Sequence, residues 1–191
     1  MTIDLLPGHG VRLPAPLPEL LFGLTETQVR GLLAPHGGLL PDGVEGIFVC
    51  GCSWALSFAL PGVGVTLGAA DDGRFHAVMV GRNPNDPRPA CPVGYHGIDL
   101  FGWPAHELAA ALRAEGLPVP DPAGGVLQLD GLQLRRAPGT RRRPPAPGRK
   151  PRHEEPYFFD SASLYAPGPA PGHPDEPAAV PRPPQHPRPR P

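Results

Sequence analysis

The cysteines are the residues best suited to chemistry. Cys50 and Cys52 lie two positions apart in VCGCSW, and a strand through this stretch would place both thiols on one face. Cys91 and His96 follow in CPVGYH, and the four side chains together would complete a tetrahedral zinc site. However, Cys-x-Cys is not the usual spacing of a zinc knuckle, and free cysteine is commonly a buried core residue. Zinc therefore stays an alternative, and we predict neither a metal nor a cofactor.

Other catalytic arrangements have little support in the sequence. A thiol nucleophile with His76 or His96 would make a thiol-dependent enzyme, but no motif brings these groups together. The glycine-rich stretches lack the Lys-Ser/Thr of a phosphate-binding loop. Asp71 and Asp72 belong to Asp-Asp-Gly, which is a turn sequence. We therefore expect a protein that is not an enzyme, and a metal-binding or thiol-dependent enzyme is the alternative.

Composition and charge divide the chain. The 191 residues include 32 Pro and 25 Gly, an excess typical of low-complexity segments attached to a fold. Residues 1–134 contain 6 Arg and 13 Asp or Glu, whereas residues 135–191 contain 11 Lys or Arg and 5 Asp or Glu. The predicted fold is therefore acidic. Its charge disfavours nucleic acid as a ligand and favours a basic protein partner.

Two proline-rich segments are distinct from the predicted fold. Residues 167–191 contain almost no large apolar side chains, which predicts a disordered tail. Residues 137–156 lie between two strand-like runs, and we interpret them as a basic loop within the fold. Three consecutive arginines of this loop would bind phosphate or an acidic partner. A nucleic-acid-associated scaffold acting through this loop is the second alternative.

The sequence contains no evident targeting segment. Its first residues, MTIDLLPGHG, have neither a basic start nor an apolar run of signal-peptide length. No stretch approaches the roughly 18 consecutive apolar residues of a membrane-spanning helix. The odd count of 3 Cys does not favour a disulfide framework. We expect a cytoplasmic protein with no membrane contact.

The helices and strands that would position the cysteine and histidine side chains begin at a sequence motif that occurs twice. Residues 21–37, LFGLTETQVRGLLAPHG, and residues 100–116, LFGWPAHELAAALRAEG, share Leu-Phe-Gly, one helical Leu and the final Gly. Thr25 and Gln28 match a capping box before the first helix, and Pro104 suits the first turn of the second. The predicted core-facing residues of the two helices are Val29, Leu32 and Leu33, and then Leu108, Ala111 and Leu112.

Strand patterns follow each predicted helix. GIFVC, WALSFAL, GVGVTLGA and RFHAVMV come after the first. After the second, GVLQL and LQLRR flank Asp-Gly, which is the strongest hairpin signal in the chain. YFFDSASLYA would be the last strand, with Phe158, Ala162 and Leu164 on one face. The predicted fold is α+β, with tandem helix-plus-antiparallel-meander units at residues 1–90 and 91–166 that share one core.

Two resemblances add to this interpretation. FGLTETQVRGLL resembles the helix start of small helix-plus-meander modules, whose tandem form is similar to the beta-lactamase inhibitory protein family. That resemblance implies a concave sheet surface that binds a partner protein, although this chain lacks a pair of Cys in each unit. FGLTETQVRGLL, YHGIDLFGWPAHELAAALRAEG and FFDSASLYAPG together look like a family of uncharacterised actinobacterial-type proteins. This second resemblance implies an immunity or regulatory protein and supplies no catalytic residues.

The candidate partner-binding site is the stretch YHGIDLFGW, residues 95–103. Aromatic residues at this density can anchor an interface, although they dominate protein cores as well. The candidate binding residues are Tyr95, His96, Asp99 and Trp103, together with Arg141, Arg142 and Arg143 of the basic loop. We expect one protein partner, held in the manner of an immunity or inhibitor protein.

Overall fold

A computed structural model describes residues 1–40, 42–83, 90–122, 124–136 and 157–168. The helices in these ranges are α1 (Glu26–Leu33), a 3₁₀-helix (Ala34–Leu39) and α2 (Ala105–Ala114). The strands are β1 (Ile3–Leu6), β2 (Gly10–Arg12), β3 (Glu19–Leu21), β4 (Glu45–Gly46), β5 (Ala55–Leu60), β6 (Val63–Ala69), β7 (Phe75–Arg82), β8 (Val93–Tyr95), β9 (Ile98–Asp99), β10 (Val126–Gln128), β11 (Leu132–Arg135) and β12 (Ser161–Tyr165).

The strands form two sheets. The smaller sheet has the order β3-β2-β1-β8-β9, and the larger sheet has the order β10-β11-β12-β7-β6-β5-β4. Strands β1 and β8 are parallel, whereas the other neighbouring strands are antiparallel. The two helices and two multi-stranded sheets confirm the predicted α+β class, and most of the regular structure is in strands.

Both sheets combine strands from either side of the predicted boundary at residue 90. In the smaller sheet Ile3 lies opposite Val93, and in the larger sheet Ala77 lies opposite Tyr165. One hydrophobic cluster includes buried side chains from both parts of the chain. The shared core that the sequence predicts is therefore present, whereas the division into units 1–90 and 91–166 stays a prediction.

Helix α1 begins with the predicted capping box. The backbone N–H of Gln28 donates to Thr25 Oγ1 at 3.4 Å, and the N–H of Thr25 donates to Gln28 Oε1 at 2.9 Å. Val29 and Leu33 are buried, as predicted. Leu32 is exposed, contrary to the prediction, because the helix contacts the core along the line from Val29 to Leu33.

Replacing Thr25 with alanine is expected to lower the free energy of unfolding by about 1 kcal/mol. The substitution removes the oxygen that satisfies the Gln28 N–H. Urea unfolding of the two proteins measures the difference. Thr27→Ala is the matched control, since Thr27 is exposed on the same helix and alanine favours a helix interior. An equal loss in both variants would argue against the cap.

Helix α2 begins after Pro104 and ends at Ala114, with Glu115 as its C-cap and Gly116 directly after the cap. Its buried residues include Leu108 and Leu112, as predicted, whereas Ala111 is only half-buried. Gly116 has φ +81°, which glycine adopts without strain. The N–H of Gly116 donates to the carbonyl of Arg113 at 2.9 Å, and the N–H of Leu117 donates to that of Leu112 at 3.2 Å. These two bonds form a Schellman motif, which confirms the predicted glycine stop.

The strand patterns are confirmed in β5, β6 and β7 and at the Asp-Gly hairpin. Residues Asp130 and Gly131 join β10 to β11, where Leu127 lies opposite Leu134. Ala162 and Leu164 are buried in β12, as predicted. Phe158 is exposed and Phe159 is buried instead, because the alternation changes phase before β12 begins at Ser161.

Candidate functional site

Residues 47–54 leave the larger sheet as a loop. The N–H of Ile47 donates to the carbonyl of Ala55 at 3.0 Å, where the β4–β5 pairing ends. The N–H of Cys52 donates to the carbonyl of Val49 at 3.1 Å and closes a β-turn. Gly51 has φ +80° at its third position, as in a type II turn. The strand predicted through GIFVC, with Cys50 and Cys52 on one face, is therefore wrong.

The tip of this loop is apolar and exposed. Phe48 is 91% exposed, the largest fraction among the large apolar side chains that the structure describes. The neighbouring Ile47 is also exposed. In this position the Phe48 ring contributes little to the core. An exposed aromatic side chain at a loop tip can act as an anchor in a protein interface.

The base of the loop is fixed to the turn at residues 70–74. The indole Nε1–H of Trp54 donates to the carbonyl of Gly73 at 2.8 Å, and the Ser53 hydroxyl donates to the carbonyl of Ala70. The backbone N–H of Ser53 also donates to the carbonyl of Ala69 at 3.1 Å. The loop therefore has an exposed tip on a base with several hydrogen bonds.

The same turn holds the start of α1. The N–H of Arg74 donates to Asp72 Oδ1 at 2.9 Å, and the Arg74 side chain donates to the carbonyl of Gly23 at 3.1 Å. Phe22 packs on Phe75 with ring centroids 5.1 Å apart. The first Leu-Phe-Gly phrase thus attaches α1 to the start of β7. We call the loop 47–54, the turn 70–74 and residues 25–28 the Phe48 end.

Acidic side chains are more numerous than basic ones at the Phe48 end and in the segments that adjoin it. The acidic residues are Glu26, Asp42, Glu45, Asp71 and Asp72, and the basic residues are Arg30 and Arg74. Arg30 is already paired, since its Nε lies 2.8 Å from Glu26 Oε1. Asp71 and Asp72 are both exposed. This part of the surface presents negative charge beside an apolar loop tip.

The residues of the predicted site at 95–103 face different environments. Tyr95 is buried in the core, and its ring centroid lies 4.7 Å from that of His96. His96 is exposed in the two-residue turn between β8 and β9, where it has φ +50°. Asp99 Oδ1 accepts from the N–H of Phe101 at 3.1 Å, so that Asp99 braces the turn.

Trp103 lies towards the opposite end of the larger sheet from the turn 70–74. It is 47% exposed and precedes Pro104, which forms an antiparallel bridge with Phe158. Phe158 is 46% exposed. Arg136 and Tyr157, which flank residues 137–156, lie at this same end of the sheet. The candidate residues Arg141, Arg142 and Arg143 lie outside the described residues.

The structure does not gather the residues of the zinc alternative into a metal centre. Cys50 is exposed in the loop, whereas Cys91 is buried with its Sγ 3.4 Å from the carbonyl of Met1. Over the described ranges, no group of three or more His, Cys, Asp or Glu is placed to hold a metal ion. Burial raises the pKa of the Cys52 and Cys91 thiols above its usual range, which lowers the thiolate fraction of each at neutral pH. A smaller thiolate fraction slows attack by these thiols but does not prevent it.

Sequence reasoning missed Phe48 because GIFVC has the composition of a strand. The sequence Cys-Gly-Cys-Ser that follows could have indicated a turn at this point, since Gly and Ser favour turns. In the described part of the chain, no helix is long and apolar enough to cross a lipid bilayer. Comparisons with protein-family models, with curated protein sequences and with solved structures found no match.

Proposed function

We propose that this chain is a non-enzymatic binding protein that holds one basic protein partner at the Phe48 end, in the manner of an immunity or inhibitor protein. The observation that carries the proposal is the exposed Phe48 ring on a loop whose base is fixed through Ser53 and Trp54. A loop that is already ordered loses less conformational entropy when a partner binds. Its aromatic tip can then enter a pocket at low entropic cost.

Charge supports a basic partner. Asp71 and Asp72 are exposed beside the base of the loop, and Glu45 precedes it. Negative charge around an apolar anchor speeds association with a positively charged surface and disfavours acidic competitors. Arg136, the last described basic residue before residues 137–156, lies at the opposite end of the larger sheet from this surface.

We also infer that the two helix-plus-strand segments are equivalent units. The larger sheet supports this, because β7-β6-β5 on one side of its centre corresponds to β12-β11-β10 on the other. Each helix start also forms an isolated bridge ahead of the last strand of its unit: Thr25 with Arg74, and Pro104 with Phe158. The repeated Leu-Phe-Gly phrase is then the docking segment of each unit.

Replacing Phe48 with serine is expected to weaken partner binding about tenfold or more while leaving stability unchanged. The test is capture from native cell extract on the immobilised full chain, at low and moderate salt, with identification by mass spectrometry. We expect one stoichiometric basic protein on the wild-type chain. Titration of that protein against both chains then measures the loss.

Phe158→Ser is the matched control, since Phe158 is a half-exposed ring at the opposite end of the larger sheet. It should bind the partner as the wild type does. Asp71→Asn tests the charge, because Asp72 is already occupied by the Arg74 N–H. We expect this variant to slow association and to reduce its salt dependence. Binding that survives Phe48→Ser, or capture of nucleic acid alone, would contradict the proposal.

A further inference from the structure

The Cys50-Gly51-Cys52 turn places two thiols within one β-turn. The hydrogen bond from the Cys52 N–H to the Val49 carbonyl closes the turn, and Gly51 has a positive φ that only glycine adopts easily. In a turn of this kind, residues two apart have Cα atoms roughly 5–6 Å from each other. A disulfide spans Cα separations of about 4.4–6.8 Å, so this backbone already has a suitable spacing.

The two thiols differ in access to solvent. Cys50 is exposed, whereas Cys52 is half-buried against β6. A methyl group at residue 68 would lie 2.9 Å from Cys52 Sγ, so Gly68 provides the space that this sulfur occupies. Cys50 is therefore the thiol that a dissolved reagent reaches first, and Cys52 follows it two residues later in the same turn.

Three effects act on the pKa of the Cys52 thiol. Burial raises the pKa of the Cys52 thiol, a backbone hydrogen bond at Ala69 lowers it, and negative charge on Cys50 raises it further. Cys91 takes no part, since it is buried beside the carbonyl of Met1.

We propose that Cys50 and Cys52 are a thiol–disulfide exchange site, which a low-molecular-weight disulfide such as glutathione disulfide converts to a reversible intramolecular bridge. This inference does not depend on the proposed partner. The Cys50 thiolate attacks one sulfur of the small disulfide, so that a mixed disulfide forms and one small thiolate leaves. The Cys52 thiolate then attacks Cys50 Sγ and expels the second thiolate. The protein loses two protons and two electrons, and the small disulfide is reduced to two thiols.

The full chain is incubated with mixtures of glutathione and glutathione disulfide, quenched with acid, alkylated and measured by intact and peptide mass spectrometry. We expect the wild type to lose two hydrogens, to protect Cys50 and Cys52 from alkylation, and to retain little glutathione. Cys52→Ser should retain glutathione on Cys50 at a level about tenfold higher, because no second thiol resolves the mixed disulfide. Dithiothreitol should reverse both products.

Cys91→Ser is the control and should form the bridge as the wild type does. Three results would each overturn the proposal. Wild type and Cys52→Ser could retain equal amounts of glutathione, the bridge could form between chains instead of within one, or neither loop thiol could react. Far-ultraviolet circular dichroism of every variant establishes that the chain is folded in the assay.

Discussion

Replacing Phe101 with alanine is expected to lower the free energy of unfolding by about 3–5 kcal/mol. The Phe101 ring is 2% exposed and belongs to the core that both sheets share. The guanidinium carbon of Arg82 lies 5.7 Å from its centroid, and Arg82 Nη2 donates to the Phe101 carbonyl at 2.9 Å. Alanine keeps the backbone bond but leaves a cavity and removes the cation–π contact. Urea unfolding followed by circular dichroism measures the change.

Phe22→Ala is the matched comparison, because Phe22 is the same residue of the first Leu-Phe-Gly phrase. Phe22 is only partly buried and packs on Phe75 at one side of the core. Since less apolar surface is lost, we expect a smaller decrease of about 1–2 kcal/mol. Equal losses, or an unaffected Phe101→Ala protein, would contradict the different burial of the two rings.

Replacing Gly10 with alanine is expected to destabilise the smaller sheet by about 3 kcal/mol or more. Gly10 has φ +140° in β2, where it lies opposite Leu6 of β1 and Leu21 of β3. A methyl group there would overlap the carbonyl oxygen of Leu20 and lie 3.0 Å from the Cα of Leu21. Both neighbours are backbone atoms of a paired strand, so neither can move without breaking hydrogen bonds. Thermal and urea unfolding both report the loss.

Gly8→Ala is the control that separates the cost of steric overlap with a neighbouring strand from the cost of a positive φ. Gly8 lies in the preceding turn with φ +71°, and the nearest atom to an added methyl group would be Pro167 Cγ at 3.5 Å, an ordinary contact. The expected loss is therefore only about 1–2 kcal/mol, from the left-handed backbone. If Gly8→Ala were as destabilising as Gly10→Ala, the close approach of β2 and β3 would not be the cause.

The sequence predicted correctly those elements that residues close together in the chain determine. The Thr25–Gln28 capping box, the Gly116 stop and the Asp130–Gly131 hairpin each depend on residues within a few positions of one another. Alternation likewise identified β5 and β6, and the apolar run after Asp-Asp-Gly identified β7. In these places backbone preference and burial favour the same structure.

The smaller sheet could not be predicted in this way. Strands β2, β3 and β8 have three residues each, which is too short for a period to show. The partner of β1 in the parallel pairing lies some ninety residues later, and no local pattern encodes that distance. The turn at His96 and Gly97 could not be predicted either, because both residues have positive φ, which is uncommon for residues other than glycine.

The candidate site in the structure is not the one that the sequence predicts, and the reason is again a contact between residues distant in sequence. Composition indicates aromatic residues at 95–103 but not which of them the fold buries, and Tyr95 belongs to the core. Phe48 lies in an equally apolar stretch and is almost fully exposed. The difference is a tertiary effect, because residues 53–54 return to pair with Ala69 and leave the preceding residues outside the sheet.

The pairing of β1 with β8 and of β7 with β12 has a consequence for biosynthesis. A ribosome releases β1 and β7 long before their partners β8 and β12. During that interval each early strand exposes a row of unpaired backbone groups, which can pair with a strand of another nascent chain. Both sheets are completed only after late segments emerge, and contacts so distant in sequence slow folding. The interval between these strands is therefore the period in which the nascent chain most needs protection from aggregation.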